Sequence, residues 1–158
     1  MPKLEYLNLK YNLTMIYIDN LTIMYSGCEN IDIIKPLAGR SYIAPLRHLS
    51  INKTKLSDTG MSVIAESFQG LEYLSCEESI GFTNTGIIAL ASKCHSLVSI
   101  NLSWCNNVKD EAIIAIAQGC PNLLSLEVES LYELTDRGTL HGVCVCVCVC
   151  VCVCVCVC

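Results

Sequence analysis

The sequence predicts an α/β solenoid, a right-handed arc with a parallel β-sheet on its concave side and helices along the outside. Three observations predict it. A unit of 26 residues recurs: residues 94–119 read CHSLVSINLSWCNNVKDEAIIAIAQG, and the next block opens CPNLLSLEVESLYELTDRG. Cys94, Leu97, Ile100, Leu102, Val108 and Asp110 thus return as Cys120, Leu123, Leu126, Val128, Leu134 and Asp136. Each unit begins in strand-like alternation and ends in helical spacing. Finally, one such unit cannot bury its own apolar face, so units must stack, and a stack offers a long surface rather than a pocket. Binding is therefore the expected activity.

Taken from the N-terminus, Leu4, Leu7 and Leu9 carry the strand pattern, and Ile18, Leu21 and Ile23 carry a ragged version of it. Residues 1–45 are read as degenerate N-terminal repeats, of which residues 10–45 do not keep phase. Clear periodicity starts at Leu46, Leu49 and Ile51, followed by Leu56, Asp58, Gly60, Ile64 and Ala65. The next unit has Leu71, Leu74, Cys76, Phe82, Asn84, Gly86, Leu90 and Ala91, and the phase holds to about residue 142. Residues 46–142 are read as the repeat domain and residues 143–158 as a low-complexity tail.

Within a unit, Ile100 and Leu102 alternate with polar neighbours as a strand requires, and they should point into the core. A turn at Cys105, Asn106 and Asn107 leads to Ala112, Ile113, Ile116 and Ala117, an apolar face at helical spacing. Asp110, with Asn84, Asp58 and Asp136 in the same place, is the expected N-cap of its helix. Gly119 and Cys120 should close it.

Cysteine, two spacers, LxxLxL, two spacers, cysteine, then VxD, a small residue and an apolar helix: this order resembles the cysteine-containing leucine-rich repeat found in F-box/LRR proteins, the substrate receptors of SCF-type ubiquitin ligases. The resemblance spans about residues 46–140. Cys94, Cys105 and Cys120 match its cysteine positions, whereas Ser79 and Leu131 stand where Cys105 predicts a cysteine. It implies a leucine-rich-repeat solenoid that recognises a protein substrate in ubiquitin-mediated degradation and does no chemistry itself. No F-box precedes the first strand pattern at Leu4, so direct docking to the ligase adaptor is not expected, and the chain reads as a fragment.

The 158 residues carry a net charge of −5 with no basic patch, which argues against nucleic acid as a partner. Neither a signal peptide nor a membrane span is evident, so a cytoplasmic or nuclear setting with reduced thiols is expected. Cys94 and Cys120 should lie one coil apart, close enough for a disulfide on distance alone, but buried thiols acting as small hydrophobes explain their recurrence. No phosphate loop, HExxH, GxSxG or CxxC occurs. Neither a catalytic residue nor a cofactor or metal site is therefore expected in the repeats.

From Val143 to Cys158 valine and cysteine alternate strictly, holding eight of the thirteen cysteines. GTG encodes valine and TGT cysteine, so a GT dinucleotide repeat read in frame gives this peptide. A thiolate cluster for Cu(I) or Zn²⁺ is the competing reading, weakened by stiff spacers that send alternate residues to opposite faces. As an extended strand the tail would be prone to edge pairing and aggregation.

Side chains between the buried strand positions should line the concave face in rows about 5 Å apart. These are His48, Ser50 and Asn52; Tyr73, Ser75 and Glu77; Ser99, Asn101 and Ser103; and Ser125, Glu127 and Glu129. The candidate partner-binding set is Tyr73, Ser75, Glu77, Ser99, Asn101, Ser103, Trp104, Ser125, Glu127 and Glu129. Trp104 is a candidate anchor at the rim, and the three glutamates point to a basic partner segment.

Overall fold

The structure is a computed structural model that describes residues 46–138 and the backbone of three short strands before them. Those strands are β1 (Glu5–Leu7), β2 (Thr14–Ile16) and β3 (Leu21–Thr22). Then follow β4 (His48–Ser50), α1 (Asp58–Ser67), β5 (Tyr73–Ser75), α2 (Asn84–Ala91), β6 (Ser99–Asn101), α3 (Asp110–Gly119) and β7 (Ser125–Glu127). The valine-cysteine tail lies outside the described residues.

Strands β3 to β7 form one parallel sheet in chain order. Its register is that of the sequence period: Leu49 faces Leu74, Leu74 faces Ile100, and Ile100 faces Leu126. Parallel neighbours need a crossover of a dozen or more residues, and the turn plus helix of each unit supplies it. The fold is thus a leucine-rich-repeat α/β solenoid. At the N-terminus the expected rung at Leu4, Leu7 and Leu9 is not part of this ladder: β1 pairs with β2, antiparallel. The segment from Leu7 to Thr14 is too short for a crossover and long enough for a hairpin.

The core runs continuously through the coils. Leu71, Leu97, Ile100, Leu102, Val108 and Ile116 are fully buried, as are Phe82 and Ile87 to within 1%. Each repeats at its own level, so every coil packs against the same residue types above and below.

Helix starts depart from the expectation. The N-caps are Ser57, Thr83 and Lys109, one residue before Asp58, Asn84 and Asp110. The cap must be extended, and those three residues are, whereas the acidic or amide residue is already helical and its side chain reaches sideways to the next coil. Asp58 Oδ1 accepts the amides of Thr83 and Gly86, both at 2.8 Å, and Oδ2 accepts the Thr83 hydroxyl at 2.9 Å. Asn84 Oδ1 takes the Lys109 amide at 2.8 Å, and Asp110 Oδ1 takes that of Thr135 at the same distance. Each coil therefore caps the helix of its successor, satisfying donors that helix N-termini leave open. Gly86 is required by that approach, because a Cβ there would sit 2.7 Å from Asp58 Oδ1.

A second device recurs at the strand ends. Lys53, Glu78, Trp104 and Ser130 all have positive φ, between 54° and 64°. A non-glycine residue in this region costs about 1–2 kcal/mol. The turn it makes lets the amides of Lys53, Glu78 and Trp104 donate to the carbonyls of Glu77, Ser103 and Glu129 on the next coil, extending the ladder past the strands.

Candidate functional site

The alternation that buries Leu49, Leu74, Ile100 and Leu126 turns their neighbours to the open face of the sheet, away from the helices. Register aligns them in rows. Tyr73, Ser99 and Ser125 form one row behind His48, and Ser75, Asn101 and Glu127 form another behind Ser50.

Several of the expected partner-binding residues are engaged with the next coil. Ser103 is buried, and its hydroxyl accepts the Glu129 amide at 3.2 Å. Two coil-pairs earlier, Asn52 Oδ1 accepts the Glu77 amide at 2.9 Å and the Ser75 hydroxyl at 2.7 Å. Asn101 Oδ1 accepts the Ser103 amide at 2.8 Å, while its amide group donates to Glu127 Oε2 at 2.9 Å. Asn52, Ser75, Asn101 and Ser103 thus fix the face as well as forming it.

The remaining members are more open. Tyr73, Glu127 and Glu129 are exposed, and Glu77, Ser99 and Ser125 are half-buried. Trp104 lies at the rim in the strand-end turn, 42% exposed. A shallow depression of about 300 Å³ spans β4 to β7, lined among others by His48, Tyr73, Ser75, Ser99, Asn101 and Glu127. At one end the His48 and Tyr73 rings stack with centroids 4.2 Å apart and planes inclined by 14°. This pair was not foreseen as a unit, although its one-coil spacing within a single row is the signal that joins the two rings.

The cysteines lie on the core side. Cys76, Cys94, Cys105 and Cys120 are buried free thiols. Cys105 Sγ donates to the Cys76 carbonyl at 3.0 Å, as Ser79 Oγ, its counterpart one coil earlier, donates to that of Ile51 at 2.8 Å. That shared donor role explains why serine can stand in for cysteine at this position. Burial pushes the Cys94 thiol up to about 11 and that of Cys105 to about 12. Burial, with Cys105 adding to it, raises Cys76 well above its ordinary value. These are protonated packing groups with little nucleophilic character.

His95 lies at a coil junction, exposed, with Nδ1 2.7 Å from the Gly119 carbonyl, to which it donates at the end of α3. Among the described residues no group of three or more His, Cys, Asp or Glu could hold a metal ion, and no helix is long and apolar enough to cross a membrane.

Comparison with known proteins agrees with this geometry. The family profile described as Leucine Rich repeat matches residues 43–65 and 93–117. No curated protein sequence matches the chain. Among solved structures, a chain in the crystal structure of the Rad7 and Elc1 complex in yeast superposes with a TM-score of 0.55 at 23% identity. The match covers 62% of this chain and 25% of that one, so this chain corresponds to a quarter of its neighbour's length. At that identity the likeness speaks for the fold alone.

Proposed function

We propose that this chain is the partner-reading portion of a receptor that recognises a protein substrate for SCF-dependent ubiquitination, with the open face of its sheet as the recognition surface. The observation that carries the reading is the in-register ladder of β3 to β7, which sets polar and aromatic side chains in rows while every aliphatic strand residue from β4 onward is buried. Such a face is a protein-binding surface without catalytic groups, and ubiquitin transfer would belong to other subunits. One further point supports it: the cysteine and helix-start pattern resembles F-box/LRR repeats. Cytoplasm or nucleus is the setting this role requires.

Affinity capture from cells with the intact chain, read by quantitative mass spectrometry, tests the proposal. Ser99→Arg, which fills the centre of the face, should remove a set of partners that Glu111→Arg, on the exposed start of α3, retains. Those partners should accumulate when the chain is depleted or an SCF-type ligase is inhibited. Partners that bind both variants alike would contradict the recognition surface; partners lost with Ser99→Arg whose turnover ignores the ligase would leave an interaction scaffold in its place.

A further inference from the structure

We infer that the depression on the open face receives an extended peptide segment with two cationic side chains about three or four residues apart, one stacked on Tyr73 and the other paired with Glu127. The inference deepens the proposed function and rests on it.

The Tyr73 end comes first. Tyr73 is 39% exposed although its ring stacks on His48, so the contact covers one face and leaves much of the side chain open. Stacking fixes the plane of the ring. A fixed, accessible tyrosine beside a depression of about 300 Å³ suits a guanidinium or ammonium group, which the negative face of the ring attracts.

The other end is a carboxylate. Glu127 is exposed, and Asn101 holds its Oε2 at 2.9 Å, which orients the group. Among the described residues its Oε1 has no partner, so one acceptor is ready for an incoming donor. Between the two ends lie Ser75 and Ser99, small side chains that let a peptide backbone approach the sheet.

Charge selects the occupant. Among the described residues of the four rows, Glu77, Glu127 and Glu129 carry the formal charges, and no lysine or arginine stands there. Arg47 pairs with Glu72, Lys53 with Glu78 and Lys109 with Glu133, so these three cations engage carboxylates off the rows. The described rows thus carry negative charge, which attracts a basic segment and repels an acidic or phosphorylated one.

Geometry sets the spacing. Tyr73 and Glu127 lie two strands apart, and register offsets them by two residues. With strands about 4.8 Å apart and a rise of about 3.3 Å per residue, the diagonal is about 12 Å. An extended peptide covers that distance in about three or four residues.

The test uses the full chain in reducing buffer and fluorescein-labelled peptides of serine and glycine, read by anisotropy. The probe carries two arginines four positions apart; comparators carry one arginine, two adjacent arginines, or two phosphoserines at the probe positions. The two-arginine probe should bind about fivefold or more tighter than either of the other arginine peptides, and raised salt should weaken it. Glu127→Gln and Tyr73→Leu should each bring its affinity down to the single-arginine level, with circular dichroism confirming that both variants are folded. Equal binding of all arginine peptides, tighter binding of the phosphopeptide, or indifference to both substitutions would overturn the inference. If cellular partners are still lost with Ser99→Arg while the arginine peptides fail, this inference falls and the proposed function stands; partners that ignore Ser99→Arg sink that reading itself.

Discussion

Asp58 lies in the first turn of α1, yet three of its hydrogen bonds serve the start of α2, and replacing it measures how strongly one coil holds the next. Asp58→Ala removes the acceptor for the amides of Thr83 and Gly86 and for the Thr83 hydroxyl. A hydrogen bond to a charged group nets about 1.5–3 kcal/mol, but three bonds to one half-buried carboxylate overlap, and the hydroxyl can turn to water. The loss of favourable charge at the N-terminus of α2 adds about 0.5 kcal/mol. Together these give about 3 kcal/mol, a large part of the roughly 5–15 kcal/mol that stabilises a domain of this kind. Asp58→Asn keeps one oxygen for the amides, as Asn84 does for Lys109, and should cost about 1 kcal/mol. Urea unfolding followed at 222 nm reads both, and with a slope of about 1–3 kcal/mol per molar the alanine variant should lower the midpoint by more than about 1 M. A loss under about 0.5 kcal/mol, or equal losses for the two variants, would refute the view that this carboxylate staples adjacent coils.

Gly86→Ala would gain about 1 kcal/mol in an ordinary helix, but here its Cβ meets Asp58 Oδ1 at 2.7 Å and Met61 Cβ at 3.0 Å. A net loss of about 1–3 kcal/mol in the same assay is expected, and a gain would show that the coils can spread. Leu102→Ala should cost about 2–5 kcal/mol through a core cavity, and Asn101→Ala about 1 kcal/mol because the Ser103 amide loses its acceptor; equal losses would mean that the two faces of β6 are misassigned. Peptide-mapped alkylation at neutral pH should leave Cys76, Cys94, Cys105 and Cys120 unmodified until denaturant is added, and rapid native labelling would contradict their burial. Since the thiol values of Cys94 and Cys105 rise from 9.0 to about 11 and about 12, the unfolded chain loses these protons first. Stability should hold below about pH 9 and then fall by up to about 1.4 kcal/mol per pH unit for each such thiol; a flat profile from pH 9 to 10.5 would contradict the shifts.

The ladder was legible because two signals coincided at every level. Leu97, Ile100 and Leu102 alternate as a strand must, and the same residues return one unit later, so the spacing that names the strand also sets its register. Helix starts were legible to within a residue, since an acidic or amide side chain before an apolar run marks a helix N-terminus wherever its carboxylate points. That Asp58 and Asp110 reach across to Thr83 and Thr135 depends on coil separation, which a linear pattern does not contain. The same reason hid the internal duties of Asn52, Asn101 and Ser103: alternation places them on the open face, and only the neighbouring coil shows that they bind its backbone or side chains. At β1 and β2 the leucine spacing imitates a rung, but the short connection dictates a hairpin. The positive-φ turns at Lys53, Glu78, Trp104 and Ser130 left no mark in the sequence, because glycine, their usual signal, is absent from all four.

Cross-strand nuclear Overhauser contacts between backbone protons of Tyr73–Ser75, Ser99–Asn101 and Ser125–Glu127 test the arrangement on which the interaction surface depends. The expected result is the contacts of a parallel sheet, with Ile100 linked to both Leu74 and Leu126 and the Cys76 amide protected by its bond to the Asn101 carbonyl. Close Hα–Hα contacts of antiparallel pairs, or rapid exchange at Cys76, would contradict it.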